Sequence, residues 1–320
     1  MAELWLHGFP VIGASAPLAR RAEAAGYDGL LLADSQALQG DVYVGLALAA
    51  AATSTIRLGT GVTNPVTRHP TVTASAIATV HAESGGRATL GIGRGDSSVT
   101  QIGRRAASPE ELEAHVRTVR ALLRGERTDA GRLSWLDPSL PAVDVHVAAT
   151  GPKTIAAAAR SADAVLLTVG AEPERLRAAL ASARAAGARR VGAYVNVACA
   201  EDPADARALV RGSAAIFAHF SSQTMAGVLP DDHDVIEHIG QDYDDSRHGQ
   251  SVARHATELP DGFLDRFAVV GAPEIVRDRL AGLIALGLDP LVLVPGSKDA
   301  DPGLLARSDA LVAELLDDVR

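Results

Sequence analysis

Residue types that can bind a flat organic ring, hold a phosphate and move a proton recur in short runs along the first half of the chain. Ala33-Asp34-Ser35-Gln36 comes first, followed by Gly59-Thr60-Gly61-Val62-Thr63-Asn64-Pro65. Gly91-Ile92-Gly93-Arg94-Gly95-Asp96, Ala148-Ala149-Thr150-Gly151-Pro152-Lys153 and the lone Thr168 complete the set. Glycines let a planar ring approach the backbone closely. Gly151 bares the backbone ahead of a helix whose first N–H groups and positive dipole end suit a phosphate, with Lys153 adding charge. Asp96 is a residue type that can move a proton. An ordinary Asp has a pKa of about 3.9, too low for an acid near neutrality, so that role requires Asp96 to be poorly solvated.

Each run also has a plain structural reading. Asp34 is the kind of residue that caps a helix or turn, and Asp96 can bond nearby backbone donors. His7 suits a packed interior position, and Gly151 to Lys153 suits a simple strand-to-helix turn. Glycines 91, 93 and 95 look like a dinucleotide loop, but that motif needs an immediate helix. Here the next helix waits for the Ser108-Pro109-Glu110-Glu111 capping box.

Short β-branched runs alternating with Ala/Leu/Arg segments must position these groups. Strands are expected over 4–9, 29–32, 56–60, 88–93, 143–149, 164–168, 191–199 and 290–294. Helices are expected over 16–25, 42–52, from Pro70, 108–123, after Pro152, and over 172–186, 273–285 and 304–316. The chemistry-bearing runs then fall at one end of successive strands, where ligands of parallel α/β proteins gather. Plain turns such as Ser84-Gly85-Gly86 lie at the other end. Periodicity alone fits a closed barrel or an open doubly wound sheet. Regularity lapses between about 213 and 265, where His219, His233, His238, His248 and His255 lie among Gly, Asp and Ser. Their spacing matches no compact metal motif, so the segment reads as an insertion that forms a lid in one domain spanning 1–320.

The 320 residues carry a formal charge of −9 without a basic block, which argues against a nucleic-acid partner. The single cysteine, Cys199, cannot form an intrachain disulfide and reads as buried. No apolar run reaches the roughly 18 residues of a membrane span, and the N-terminus lacks signal-peptide features. A cytoplasmic protein is the expectation.

The run from Leu58 to Val72, continued by Ser84 to Asp96, Ala148 to Lys153 and Val270 to Glu274, resembles the luciferase-like superfamily, and most of all its deazaflavin branch. The resemblance extends nearly end to end and is weakest over the insertion. It implies a (β/α)₈ TIM barrel with insertions, and coenzyme F-420, an 8-hydroxy-5-deazaflavin, as cofactor. It implies a cis peptide between Gly61 and Val62 behind the ring, with Thr63 and Asn64 continuing that wall. Asp34 and Ser35 would lie near the ring or its polyol. Gly93, Gly95 and Asp96 would face the reaction. Ala148, Ala149, Thr150, Gly151, Pro152, Lys153 and Thr168 would surround polyol and phosphate. Many relatives have His where this chain has Ser35; if that His donates a proton there, the role here is empty or falls to Asp96 or His7. The family also implies a homodimer acting on a small-molecule substrate. The reaction expected is hydride transfer between C5 of the cofactor and an imine, carbonyl or activated alkene. An FMN monooxygenase on the same barrel and a non-catalytic ligand-binding relative are the alternatives.

Overall fold

A computed structural model describes all 320 residues. The first half runs β1 (Leu4–Gly8), α1 (Ser15–Ala24), β2 (Gly29–Leu32), α2 (Val42–Ala52), β3 (Arg57–Thr60), α3 (Pro70–Glu83) and β4 (Ala88–Ile92). A single turn, α4 (Ser97–Thr100), precedes α5 (Pro109–Leu123), β5 (Asp144–Ala149), α6 (Pro152–Ser161), β6 (Ala164–Leu167) and α7 (Pro173–Ala185). Then come β7 (Val191–Cys199), α8 (Pro203–Ser222), α9 (His233–Asp242), α10 (Arg254–Thr257) and α11 (Asp261–Phe267). The chain finishes with β8 (Val269–Gly271), α12 (Pro273–Ala285), β9 (Leu291–Val294) and α13 (Pro302–Leu315).

All pairings between these strands are parallel, in the order β6-β5-β4-β3-β2-β1-β9-β7, and a further β6–β7 pairing closes the circle. The result is an eight-stranded (β/α)₈ barrel. The eight closing strands are those the alternation predicts. β8 is an addition, a three-residue strand on the far end of β7 through Val197↔Val269, too short to leave a periodic signal. No helix is long and apolar enough to cross a membrane.

Local chemistry places the helices. Asp41 caps α2 by accepting from the N–H groups of Tyr43 and Val44. The Ser108–Glu111 capping box starts α5 as expected: Ser108 Oγ accepts from Glu111 N at 3.1 Å and Glu111 Oε2 from Ser108 N at 2.7 Å. Apolar faces of the outer helices pack on the strands in one continuous core that includes Leu30, Leu58, Leu90, Val147 and Leu293.

A second core fills the barrel and continues upward. Trp5, Leu31, Leu166, Tyr194 and Val292 point inside and join Ala214, Phe217, Phe263 and Phe267 of the segment after β7. That segment is helical rather than irregular, and α8 begins ten residues before the break seen in the sequence. Gly212, which lowers helix propensity, sits where a Cβ would come within 2.6 Å of the Gln250 backbone. Close packing of the 249–251 stretch requires the residue that obscured the helix.

Candidate active site

A cleft enclosing about 1460 Å³ of free space, its open mouth included, lies over the C-terminal strand ends. Its floor is a row of small residues from adjacent strands: Ala33 after β2, Gly61 after β3, Gly93 after β4, and Ala148 and Ala149 on β5. A Cβ on Gly93 would sit 3.0 Å from Val62 Cγ2, so a side chain there would crowd Val62. The Gly61–Val62 peptide is cis.

His7 and Tyr194 support Gly61 from within the barrel. His7 Nε2 lies 2.8 Å from the Gly61 carbonyl oxygen, and the two rings meet edge to face at 6.0 Å. Nε2 must carry the proton to donate to that carbonyl, which leaves Nδ1 a bare lone pair, sealed and unpartnered. Burial lowers the His7 pKa to about 4, so the ring is neutral near pH 7. Burial likewise raises the Tyr194 pKa.

Asp34 is almost fully buried and faces a cation. Its Oδ2 accepts from Thr63 Oγ1 at 2.7 Å and pairs with Arg68. Arg68 also reaches Asp41 at 2.9 Å and lies over the Tyr43 ring at 5.0 Å. Ser35 Oγ stands 3.3 Å from Ser97 Oγ, which ties the end of β2 to α4.

Asp96 stands just before α4. Its side chain keeps 22% of its surface, yet Oδ2 is sealed from solvent without a hydrogen-bond partner. Burial is the largest influence on this carboxyl and raises its pKa. A raised pKa is the direction that an acid near neutral pH needs.

On the far side, Thr150 and Thr168 join hydroxyls at 2.6 Å across the ends of β5 and β6. Gly151 is the N-cap of α6, and no side chain caps that end. The first-turn N–H groups are left for a ligand. Gly151 and the buried Thr154 line the cleft. Glycine at 151 also clears Thr224, whose Cγ2 would lie 2.8 Å from a Cβ there.

Most of the positions singled out in the sequence therefore converge: His7, Asp34, Ser35, Gly61, Val62, Thr63, Gly93, Gly95, Asp96, Ala148, Ala149, Thr150, Gly151 and Thr168 all line the cleft. Three do not. Asn64 turns inward to serve its own loop: Oδ1 accepts from Val66 N and Thr67 N at 2.9 Å, and Nδ2 donates to Ser98 Oγ at 3.1 Å. Pro152 and Lys153 are exposed on the outer side of the first α6 turn, and Thr154 takes the inner position.

The sequence reading missed the upper wall. Ile216, Phe217, Phe220, Gln223 and Thr224 of α8 and its end face the cleft, with Phe9, Ser213, Tyr194, His248, Val294 and Lys298. The spacing 213, 216, 217, 220, 224 is helical and was the available signal. The insertion histidines do not surround one point. His219 and His255 pack on the Tyr243 ring, which bonds His248. His233 bonds the Val228 carbonyl, and His238 bonds Glu258.

The family described as "Luciferase-like monooxygenase" matches residues 7–290. A 5,10-methylenetetrahydromethanopterin reductase of Archaeoglobus fulgidus is 29% identical over 289 residues, 85% of this chain and 86% of the reductase. The solved coenzyme F420 dependent tetrahydromethanopterin reductase of Methanopyrus kandleri has a TM-score of 0.75 at 22% identity, covering 99% of both chains. A structure of an F420-dependent secondary alcohol dehydrogenase, in complex with an F420–acetone adduct, has a TM-score of 0.76 at 17% identity. It covers 100% of this chain and 99% of that one.

Proposed function

The chain belongs to the luciferase-like monooxygenase family, and from that membership we propose an oxidoreductase that uses coenzyme F-420 to transfer hydride to or from a small imine, carbonyl or activated alkene. Relatives described as F420-dependent reductases and dehydrogenases support the choice of cofactor. The residues present suit such a group. The floor of small residues from Ala33 to Ala149 suits a flat tricyclic ring, and the uncapped start of α6 with Thr154 suits a phosphate. When bound, the deazaflavin supplies or accepts hydride at its C5.

The chain's own residues do the rest. Gly93 keeps the floor clear beside Val62, Gly61 leaves room for Leu31 and His7 beneath it, and Gly95 clears Val99 of α4. His7 fixes the Gly61 carbonyl by a hydrogen bond. Phe217, Phe220 and Ile216 exclude water from the space above. Asp96, which lines the cleft and keeps part of its side chain open, carries one proton on its carboxyl and passes it to the substrate heteroatom during reduction, or receives it during oxidation. The observation that carries this reading is the sealed, unpartnered Oδ2 of Asp96 beside the glycine floor.

Asp96→Asn tests it. Turnover of reduced deazaflavin against a panel of ketones and imines is expected to fall by about 100-fold or more, with the dissociation constant for the cofactor unchanged. Equal losses in both would make Asp96 a binding residue only. The FMN-dependent alternative, which the family's description favours, differs in one property: reduced flavin reacts with oxygen and reduced deazaflavin hardly does.

A further inference from the structure

Asp96 Oδ2 has no hydrogen bond; His219 and Asp245 act on the carboxyl through their charge, and His248 approaches it within an ion-pair distance. His248 Nδ1 stands 3.6 Å away. The same nitrogen is 2.8 Å from the Tyr243 hydroxyl. Tyr243 is held in turn by His219, stacked at 4.0 Å and 13°, and by His255 at 4.3 Å. The His248 side chain retains 14% of its surface, so one edge of the ring faces the buried carboxyl while the ring as a whole still meets water.

We propose that His248 returns the proton to Asp96 between turnovers, with Tyr243 holding the imidazole at the required distance. The inference rests on the reading of Asp96 as proton donor. Once Asp96 has given up its proton, the His248 Nδ1–H bond breaks and the Asp96 Oδ2–H bond forms. The Nε2 lone pair takes a proton from solvent, which leaves the resting ring with Nε2–H and a bare Nδ1. Exchange with water moves that proton to Nδ1 only when Asp96 is ionised again. No co-reactant beyond water is needed. A hydroxyl both donates and accepts, so Tyr243 holds the ring in either tautomer.

The surroundings suit a shuttle, which must be neutral at rest. Burial is the main influence on His248 and lowers its pKa to about 4. His219 from α8, His255 from α10 and Lys298 after β9 push the same way, and Asp245 opposes them. Tyr243 stays protonated, because burial and the neighbouring Asp96, Asp244 and Asp245 all raise its pKa. The tyrosine therefore acts as a positioning residue, and the imidazole carries the proton.

The test needs no substrate. Full-length protein labelled with ¹⁵N-histidine and ¹³C-aspartate is titrated by NMR. While Asp96 holds its proton, His248 Nδ1 accepts and the ring carries its proton on Nε2. Once Asp96 ionises, the relay places the imidazole proton on Nδ1, beside the carboxylate. The expected result is a tautomer switch at His248 with the same midpoint as the Asp96 carboxyl carbon, abolished in Asp96→Asn. A ring that keeps one tautomer through a raised Asp96 midpoint overturns the relay and leaves Asp96 as an acid. An Asp96 midpoint at the ordinary value of about 3.9 overturns the acid itself.

Discussion

His7 Nε2 donates to the carbonyl oxygen of Gly61 at 2.8 Å, so the first strand of the barrel holds the backbone at the end of the third. The bond ties a buried neutral imidazole to the floor of the cleft. His7→Phe keeps a ring there but leaves the carbonyl without its donor. We expect it to weaken deazaflavin binding by about tenfold, the equivalent of ~1.4 kcal/mol, measured by fluorescence titration. Unchanged affinity would show that Gly61 needs no such support.

Acid sensitivity follows from imidazoles that fold neutral. Burial lowers His7, His115 and His248 to about 4 and His146 to about 3, against about 6.5 in the unfolded chain. Their stabilisation is full above pH 6.5 and is lost as pH falls towards 4, at about 1.4 kcal/mol per group and pH unit. Asp309, raised to about 6 by burial, acts with the opposite sign and favours the fold as pH drops below 6. Asp96, also raised by burial, shares that sign; four groups outweigh two, so Tm is expected to fall between pH 6.5 and 4. His146→Gln should flatten that slope, and a Tm constant across the window would contradict the argument.

Arg68 is the counter-charge for a carboxylate that has left water. Asp34 keeps 1% of its side-chain surface and Arg68 15%. Removing one member of a buried pair strands the other, at a cost of about 3–5 kcal/mol. Arg68→Ala should therefore lower stability by that amount in urea unfolding, and Arg68→Ala with Asp34→Asn by clearly less. Similar losses in both would mean that the pair is not coupled.

The eight strands of the barrel were legible because buried parallel strands leave β-branched runs between longer helical segments. Asp34, Gly61, Gly93, Asp96 and Gly151 were legible because glycines and polar residues collect at the same end of successive parallel strands. His248, Phe217 and Phe220 were not, since an insertion folds back over the mouth only by tertiary packing, and Gly212 concealed the helix that carries two of them. Lys153 misled for another reason. Position 153 follows the right glycine, but α6 turns that side chain outward, and only three-dimensional phase separates it from Thr154.

That distinction can be measured. Thr154→Val should reduce cofactor affinity by about tenfold, as expected for losing one hydrogen bond to a charged group at ~1.5 kcal/mol. Lys153→Ala should leave affinity within about twofold, since exposed charges contribute little. The reverse order would place the phosphate on the outer side of the helix.

Gly93 offers a steric test of the floor. A side chain there meets Val62 at 3.0 Å and rises into the space assigned to the ring. Gly93→Val is expected to abolish deazaflavin binding while the folded protein persists by circular dichroism. Retained binding would put the ring elsewhere.

The most direct measurement titrates the purified protein with coenzyme F-420 and with FMN, then follows oxygen consumption by each reduced complex. Tight deazaflavin binding with negligible oxygen uptake is the predicted result. Tight FMN binding with substrate-dependent oxygen uptake would contradict the account and make the protein a flavin monooxygenase.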